Sequence, residues 1–309
     1  MPKTVFSFYV DATNPYDAPA EALGIFLDYC RSHGLAGEIS AILGFGWEAH
    51  GLLTQPKTAE KEAFLAQLRR TDTCRLDTNF ELMTHAGVFD FAQQCIPSGA
   101  MHEGIWLYHR DVAVDTYQAY FEHIAAAGAL EGIRFSGVTF PGCSCAACVS
   151  GHKALQAQGI CDPSPAAWQA LLNLAKMGHF RQHTLPCFIL GAEENPAARL
   201  LLGEEVCGVY DLPPNARDCF GTWRNLPEDV NADYYISADG QSGRMVELVR
   251  AGAAYCMFYT HWQGVNPLTG IGWPAFTQVM KRVEKYLGDA IEWMRPSDYL
   301  ERVHNMFRA

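Results

Sequence analysis

A chain of 309 residues, 49% hydrophobic and only 18% charged, can bury a large core, which excludes an intrinsically disordered protein. With 34 acidic against 23 basic residues the formal charge is -11, and with no basic patch to reverse it the sequence excludes nucleic acid and anionic lipid as expected partners. The longest apolar runs are far short of the roughly 20 residues that cross a bilayer. No cleavable signal precedes the first strand, and the 11 cysteines, an odd number spread through a large chain, fit a reducing compartment, so a cytoplasmic location is expected.

In chain order the pattern alternates strands with helices. Residues 5–10 (VFSFYV) read as a strand, and 18–32 as a helix with Ala22, Ile25, Phe26 and Tyr29 at helical spacing before Gly34 stops it. Strands follow at 38–45 and 80–84, separated by a helix at 58–70. Residues 87–108 form an irregular insertion rich in Gly, Pro, Phe and His, of the kind that carries function when it interrupts a compact fold. A helix at 114–127, a strand at 133–140, a helix at 165–178 and a strand at 185–190 come next. Later strands are expected at 206–210, 234–237 and 253–260, helices at 242–250 and 273–287, then a short strand at 291–294 and a terminal helix from Pro296. This βα order predicts parallel strands with right-handed crossovers. Without GxGxxG after the first strand and without a P-loop, a (β/α) barrel is preferred over an open nucleotide-binding sheet. One domain over 1–309 is expected, with the insertion at about 86–110 and a Cys-rich loop at 141–163; the oligomeric state is left open.

Three strand-like runs stop on groups that bind metal or move protons: the first on Asp11, the third on His85, and AAYCMFYT on His261. In a barrel of parallel strands the C-terminal ends converge on one mouth, so these distant residues would meet there. Asp11, MTHAG around His85, TFPG at 139–142, YTHWQG at 259–264 and the closing tryptophan-bearing segment together resemble the polysaccharide deacetylase family. That resemblance implies an α/β fold, a distorted (β/α) barrel, and a divalent metal ion, zinc by preference, acting on an acylated carbohydrate. Asp11 and His85 would be metal ligands and His261 the proton donor to the leaving group.

The sequence departs from the family pattern at two positions. The family opens with two adjacent aspartates, but Ala12 follows Asp11, and Asp17 is the expected substitute as general base, against an ordinary role near a helix start. The second family histidine falls at Phe89, so His102 is the expected third ligand, with His109 and Asp90 as alternatives, and the adjacent Glu103 a further catalytic candidate. Trp262, Trp106 and Phe140 are expected to line the substrate, although a tryptophan is more often simple packing. Such a metal would lower the pKa of a bound water and polarise the acyl carbonyl.

Cys143, Cys145 and Cys148 form CxCxxC, with His152 four residues on and Cys161 beyond. Three soft ligands in six residues can wrap a structural zinc; reduced thiols are the competing reading. Two other functions compete with the deacetylase: a metal-free glycoside hydrolase using two carboxylates among Glu48, Glu103, Glu193, Asp211 and Asp239, and a carbohydrate-binding barrel without catalysis.

Overall fold

The computed structural model describes residues 2–14, 19–42, 58–82, 84, 87–140, 146–189 and 197–307. The chain is α/β. Strands β1 (Thr4–Thr13), β2 (Gly37–Ile42), β3 (Leu76–Glu81), β4 (Gly137–Thr139), β5 (Thr184–Phe188), β6 (Arg199–Gly203), β7 (Gly208–Asp211), β8 (Tyr255–His261) and β9 (Ile291–Trp293) make one curled sheet in the order β6-β7-β5-β4-β3-β2-β1-β8. All neighbours on this path are parallel except β6, which runs antiparallel on the edge of β7. β8 takes one edge of β1 from Val5 to Asp11; on the other edge β9 pairs with residues 4–6 and β2 with residues 9–13.

Helices α1 (Ala20–Ser32), α2 (Ala59–Leu68), α3 (Glu103–Trp106), α4 (Val114–Leu130), α5 (Ala146–Ala157), α6 (Pro165–Lys176), α7 (Ala232–Tyr235), α8 (Arg244–Arg250), α9 (Trp262–Val265), α10 (Trp273–Leu287) and α11 (Pro296–Phe307) lie between and after the strands. Strand alternation divides the core in two. Phe6, Phe8 and Val10 of β1, Ile39 and Ala41 of β2, Leu76 and Phe80 of β3 and Phe258 of β8 pack with Phe26, Phe121, Leu171 and Phe276 of the helices. Val5, Tyr9, Phe188, Tyr210, Tyr255 and Met257 point the opposite way, into the curl, where Tyr299, Leu300 and Val303 of α11 meet them. Because Val5, Tyr255 and the segment before Tyr210 are at strand starts, α11 stops the N-terminal end of the curl. Asp77, at the start of β3, holds it there by accepting from the Ser297 amide and hydroxyl, both at 2.8 Å.

The expected strand at 234–237 is instead helical: α7 is capped by Asn231, whose side chain accepts from the Tyr234 amide, and buried Tyr235 stacks on Phe220 at 4.4 Å. Its place beside β8 is taken by the segment after β7. The Asn215 amide group accepts from Met257 N and donates to Tyr255 O, both at 2.8 Å, and Asn215 and Ala216 donate their own amides to Met257 O. One side chain here does the work of a strand's peptide group. β3 starts four residues earlier than expected because its inward residues Asp77, Asn79 and Glu81 are polar and break the apolar run. β6 and α5 carried no sequence signal strong enough to predict. Among the described residues no helix is long and apolar enough to cross a membrane.

If α11 is a stopper rather than an appendage, Leu300→Ala, a truncation of a fully buried side chain, should lower stability by about 3 kcal/mol, read by denaturant unfolding with helix content unchanged.

Candidate functional site

The C-terminal strand ends bring Asp11 and His261 together as direct register partners of β1 and β8. His261 Nε2 lies 3.7 Å from Asp11 Oδ2. On its other side Nδ1 donates to Asp218 Oδ2 at 2.9 Å, and the same oxygen accepts from the His261 amide at 3.0 Å. The Phe220 amide holds the second Asp218 oxygen at 2.9 Å, so this carboxylate is fixed by backbone as well as by the ring. Asp218 stands on the segment that seals β7 to β8, a position with no motif around it. The side chain of His261 is 18% exposed, against 4% for Asp11 and 2% for Asp218, so the imidazole is the member of this line that meets solvent.

Burial alone would push the His261 imidazole down, but the hydrogen bond to Asp218 and the charges of Asp11, Asp218 and Glu81 outweigh it and raise its pKa above the ordinary value. The protonated ring is favoured between its two carboxylates. Behind the mouth lies a belt of inward polar residues: Ser7 and Tyr9 on β1, Glu38 and Ser40 on β2, Asn79 and Glu81 on β3, and Thr139 on β4, all buried. Glu38 has no hydrogen-bond donor to either oxygen among the described residues. Burial first, then the negative charges of Asp77, Asp11 and Glu81, push its carboxyl well above the usual range, which favours the neutral acid.

The other expected site residues are placed variously. His85, Asp17, Cys143 and Cys145 lie outside the described residues, as do Glu48 and Glu193. His102 caps α3, its Nδ1 accepting from the Gly104 amide at 3.0 Å. A neutral ring that accepts at Nδ1 carries its proton on Nε2, so neither nitrogen offers a metal a lone pair in this arrangement. Glu103 is entirely buried, accepting from the Thr84 amide at 2.9 Å and from the Tyr120 hydroxyl; it ties the insertion to the end of β3 and to α4. Trp262 is fully buried edge-on against Phe26 at 5.8 Å, and Phe140 packs on Trp168 at 5.2 Å, so both belong to the core between sheet and helices rather than to a substrate wall. Trp106 packs on Tyr117 and Tyr120 and borders a cavity of about 630 Å³ between the insertion and α4. Phe89, at the position of the missing histidine, is buried against Phe91. Cys148 falls within α5, and His152 on that helix sits edge-on to Tyr108. Asp211 is paired with Arg199 at 2.9 Å, and Asp239 is an exposed turn residue bonded to Ser237 and Gln241.

Among the described residues no group of three or more His, Cys, Asp or Glu side chains is arranged to hold a metal ion. The described carboxylates at the mouth are already engaged: Asp11 faces His261 Nε2 at 3.7 Å, Asp218 accepts from His261 Nδ1, and Glu81 accepts from the Ala12 amide. The described donor set therefore does not by itself fit the divalent ion that the family resemblance implies.

No protein-family model matches the chain, and no curated protein matches it in sequence. Among solved structures it is similar to a GH57-type branching enzyme from the hyperthermophilic archaeon Pyrococcus horikoshii, at 9% identity, covering 97% of this chain and 70% of that one with a TM-score of 0.51. It also overlaps a 4-alpha-glucanotransferase from Thermococcus litoralis (11% identity, 98% of this chain but 41% of that one, TM-score 0.49) and a T48 deacetylase solved with substrate (6% identity, 98% and 92%, TM-score 0.45). The first likeness shows a shared fold. The other two overlaps are too loose to carry more.

Two titrations follow from this geometry. The His261 ring signal, followed by NMR, should titrate above the ordinary histidine value near 6.5 in the parent chain and fall towards it in Asp218→Asn. For Glu38 the folded state keeps a proton that the unfolded chain releases, so stability is greatest below the unfolded carboxyl pKa and is lost as pH rises towards the folded one. Glu38→Gln should therefore be more stable than the parent at pH 8, with the advantage shrinking on acidification, as read by thermal unfolding.

Proposed function

We propose that the chain is a hydrolase acting on carbohydrate, and specifically one that removes acyl groups. The observation that carries this reading is the Asp218–His261–Asp11 line at the C-terminal mouth: a solvent-touching imidazole, oriented through Nδ1 by a buried carboxylate and facing a second carboxylate through Nε2. In (β/α) barrels this face is where chemistry is done.

The chemistry suits acyl transfer to water. Asp11, ionised, takes a proton from the attacking water as its oxygen bonds the acyl carbon. His261, protonated, gives its Nε2 proton to the departing sugar oxygen or nitrogen as the bond from the carbonyl carbon to that atom breaks. The products are a free carboxylic acid and the deacylated sugar, and Asp218, accepting from Nδ1, orients the ring and stabilises the imidazolium whose Nε2 proton is given up. A metal-free glycoside hydrolase has less support: among the described residues Glu103 and Asp211 are committed to structural partners, and Asp239 is on an exposed turn.

A divalent ion, expected at His85, is a separate part of the proposal: it would supply polarisation of the acyl carbonyl, and the acid–base roles of Asp11 and His261 are derived without it.

The test is acid release from acetylated oligosaccharides. The parent chain is expected to release acetate, and His261→Ala to lower kcat by about 10²–10⁴-fold with its fold intact. Glycosidic cleavage without acid release, or full activity in His261→Ala, would overturn the reading. Repeating the assay after chelation and on zinc titration decides the metal part: loss of activity on chelation that zinc restores is the expected result, and bound zinc that falls in His85→Ala reads the site apart from the acid–base roles.

A further inference from the structure

We propose that Glu81 is a positioning residue for Asp11: by holding the backbone of β1 in a strained turn, it aims the Asp11 carboxylate at His261. This rests on the reading of His261 as the proton-transfer group and adds to it a residue that the sequence motifs do not mark.

Three observations converge. First, β1 carries a bulge at this point. Val10 pairs with Ile39 and Thr13 with Ala41, so three residues of β1 advance against two of β2. A bulge of this kind bends the strand and redirects the side chains beside it. Second, Ala12, the residue next to Asp11, has φ of +58°. Residues with a Cβ avoid that left-handed region, and they persist in it only where surrounding structure over-determines the backbone. Third, the Ala12 amide donates to Glu81 Oε2 at 2.9 Å. Glu81 is fully buried, two strands away on β3, and its register partner on the intervening strand is Ile42, the last residue of β2. The carboxylate thus reaches past the end of β2 and anchors a peptide inside the bulge, between the β1–β2 register pairs.

The arrangement has a second effect on the same site. Glu81 contributes negative charge that favours the protonated imidazole of His261, together with Asp11 and Asp218. Geometry and charge can be separated by substitution. Glu81→Gln keeps an acceptor oxygen for the Ala12 amide but removes the charge, whereas Glu81→Ala removes both.

The experiment combines the kcat and KM of acyl release with the NMR signal of the Ala12 amide. In Glu81→Ala, kcat is expected to fall by about 10²-fold with KM little changed, because a displaced Asp11 harms reaction geometry rather than substrate binding. In Glu81→Gln the loss should be no more than about tenfold, in keeping with a retained geometry. The Ala12 amide signal should move in Glu81→Ala, where its acceptor is lost, and stay close to the parent position in Glu81→Gln. Adding Ala12→Gly to Glu81→Ala should restore part of kcat, since glycine enters the left-handed region without an anchor. An Ala12 amide signal unmoved in Glu81→Ala, or unchanged kcat in that variant, would overturn the proposal. If the parent chain releases no acid from any acylated sugar, the functional reading fails, while the Ala12 amide signal still decides whether Glu81 anchors the bulge beside Asp11.

Discussion

The sheet has a seam between β7 and β8, and the bonds that seal it also build the site. Asn215 offers its side-chain amide to β8 as though it were a peptide group, accepting from Met257 and donating to Tyr255. Three residues on, Asp218 reaches His261, the last residue of β8. Had a regular strand filled the seam, its side chains would have alternated and its peptide groups would have met β8 directly. The irregular segment lets a carboxylate turn onto the imidazole from the side. Closure of the curl and orientation of the histidine are one structural event.

The interior is unusual in holding acid beside hydrocarbon. Glu38, Asp77, Asp11 and Glu81 line the same face of three adjacent strands, and they do not share one environment. Asp77 is bonded to Ser297 at the N-terminal stopper; Asp11 faces His261, and Glu81 holds the Ala12 amide. Glu38, between them, has no donor among the described residues, and burial with its acidic neighbours pushes its carboxyl well above the usual range. Four buried negative charges at such separations would repel strongly in a low dielectric. A proton on Glu38 relieves that repulsion and leaves the charge at the mouth, where His261 balances it.

The insertion contributes by anchoring rather than by offering ligands. His102 spends its Nδ1 on the cap of a four-residue helix, and Glu103 spends its carboxylate on Thr84 and Tyr120. Tyr120 in turn accepts from the Phe89 amide, so the insertion is bound to the end of β3 and to α4 at several points. Residue types suited to chemistry are here used for mechanical fixation, because a long irregular loop has many backbone groups to satisfy and few neighbours to satisfy them.

What the sequence determined by itself was whatever depends on local periodicity. Alternating strand and helix patterns fixed the class, most element positions and the placing of Asp11 and His261 at strand ends, since apolar spacing is set by burial of one face at a time. The helix at 273–287 matches residue for residue. Tertiary structure alone decided the rest. Asp218 lies 43 residues from His261, and nothing near it in sequence marks it. Glu81 looked unremarkable until the bulge in β1 brought the Ala12 amide to it. Trp262 and Phe140 carry the composition of a sugar platform but sit on the helix side of the sheet, and which side a residue takes is a matter of register between strands. Pattern reports that a side chain is to be buried; only the folded chain decides against what.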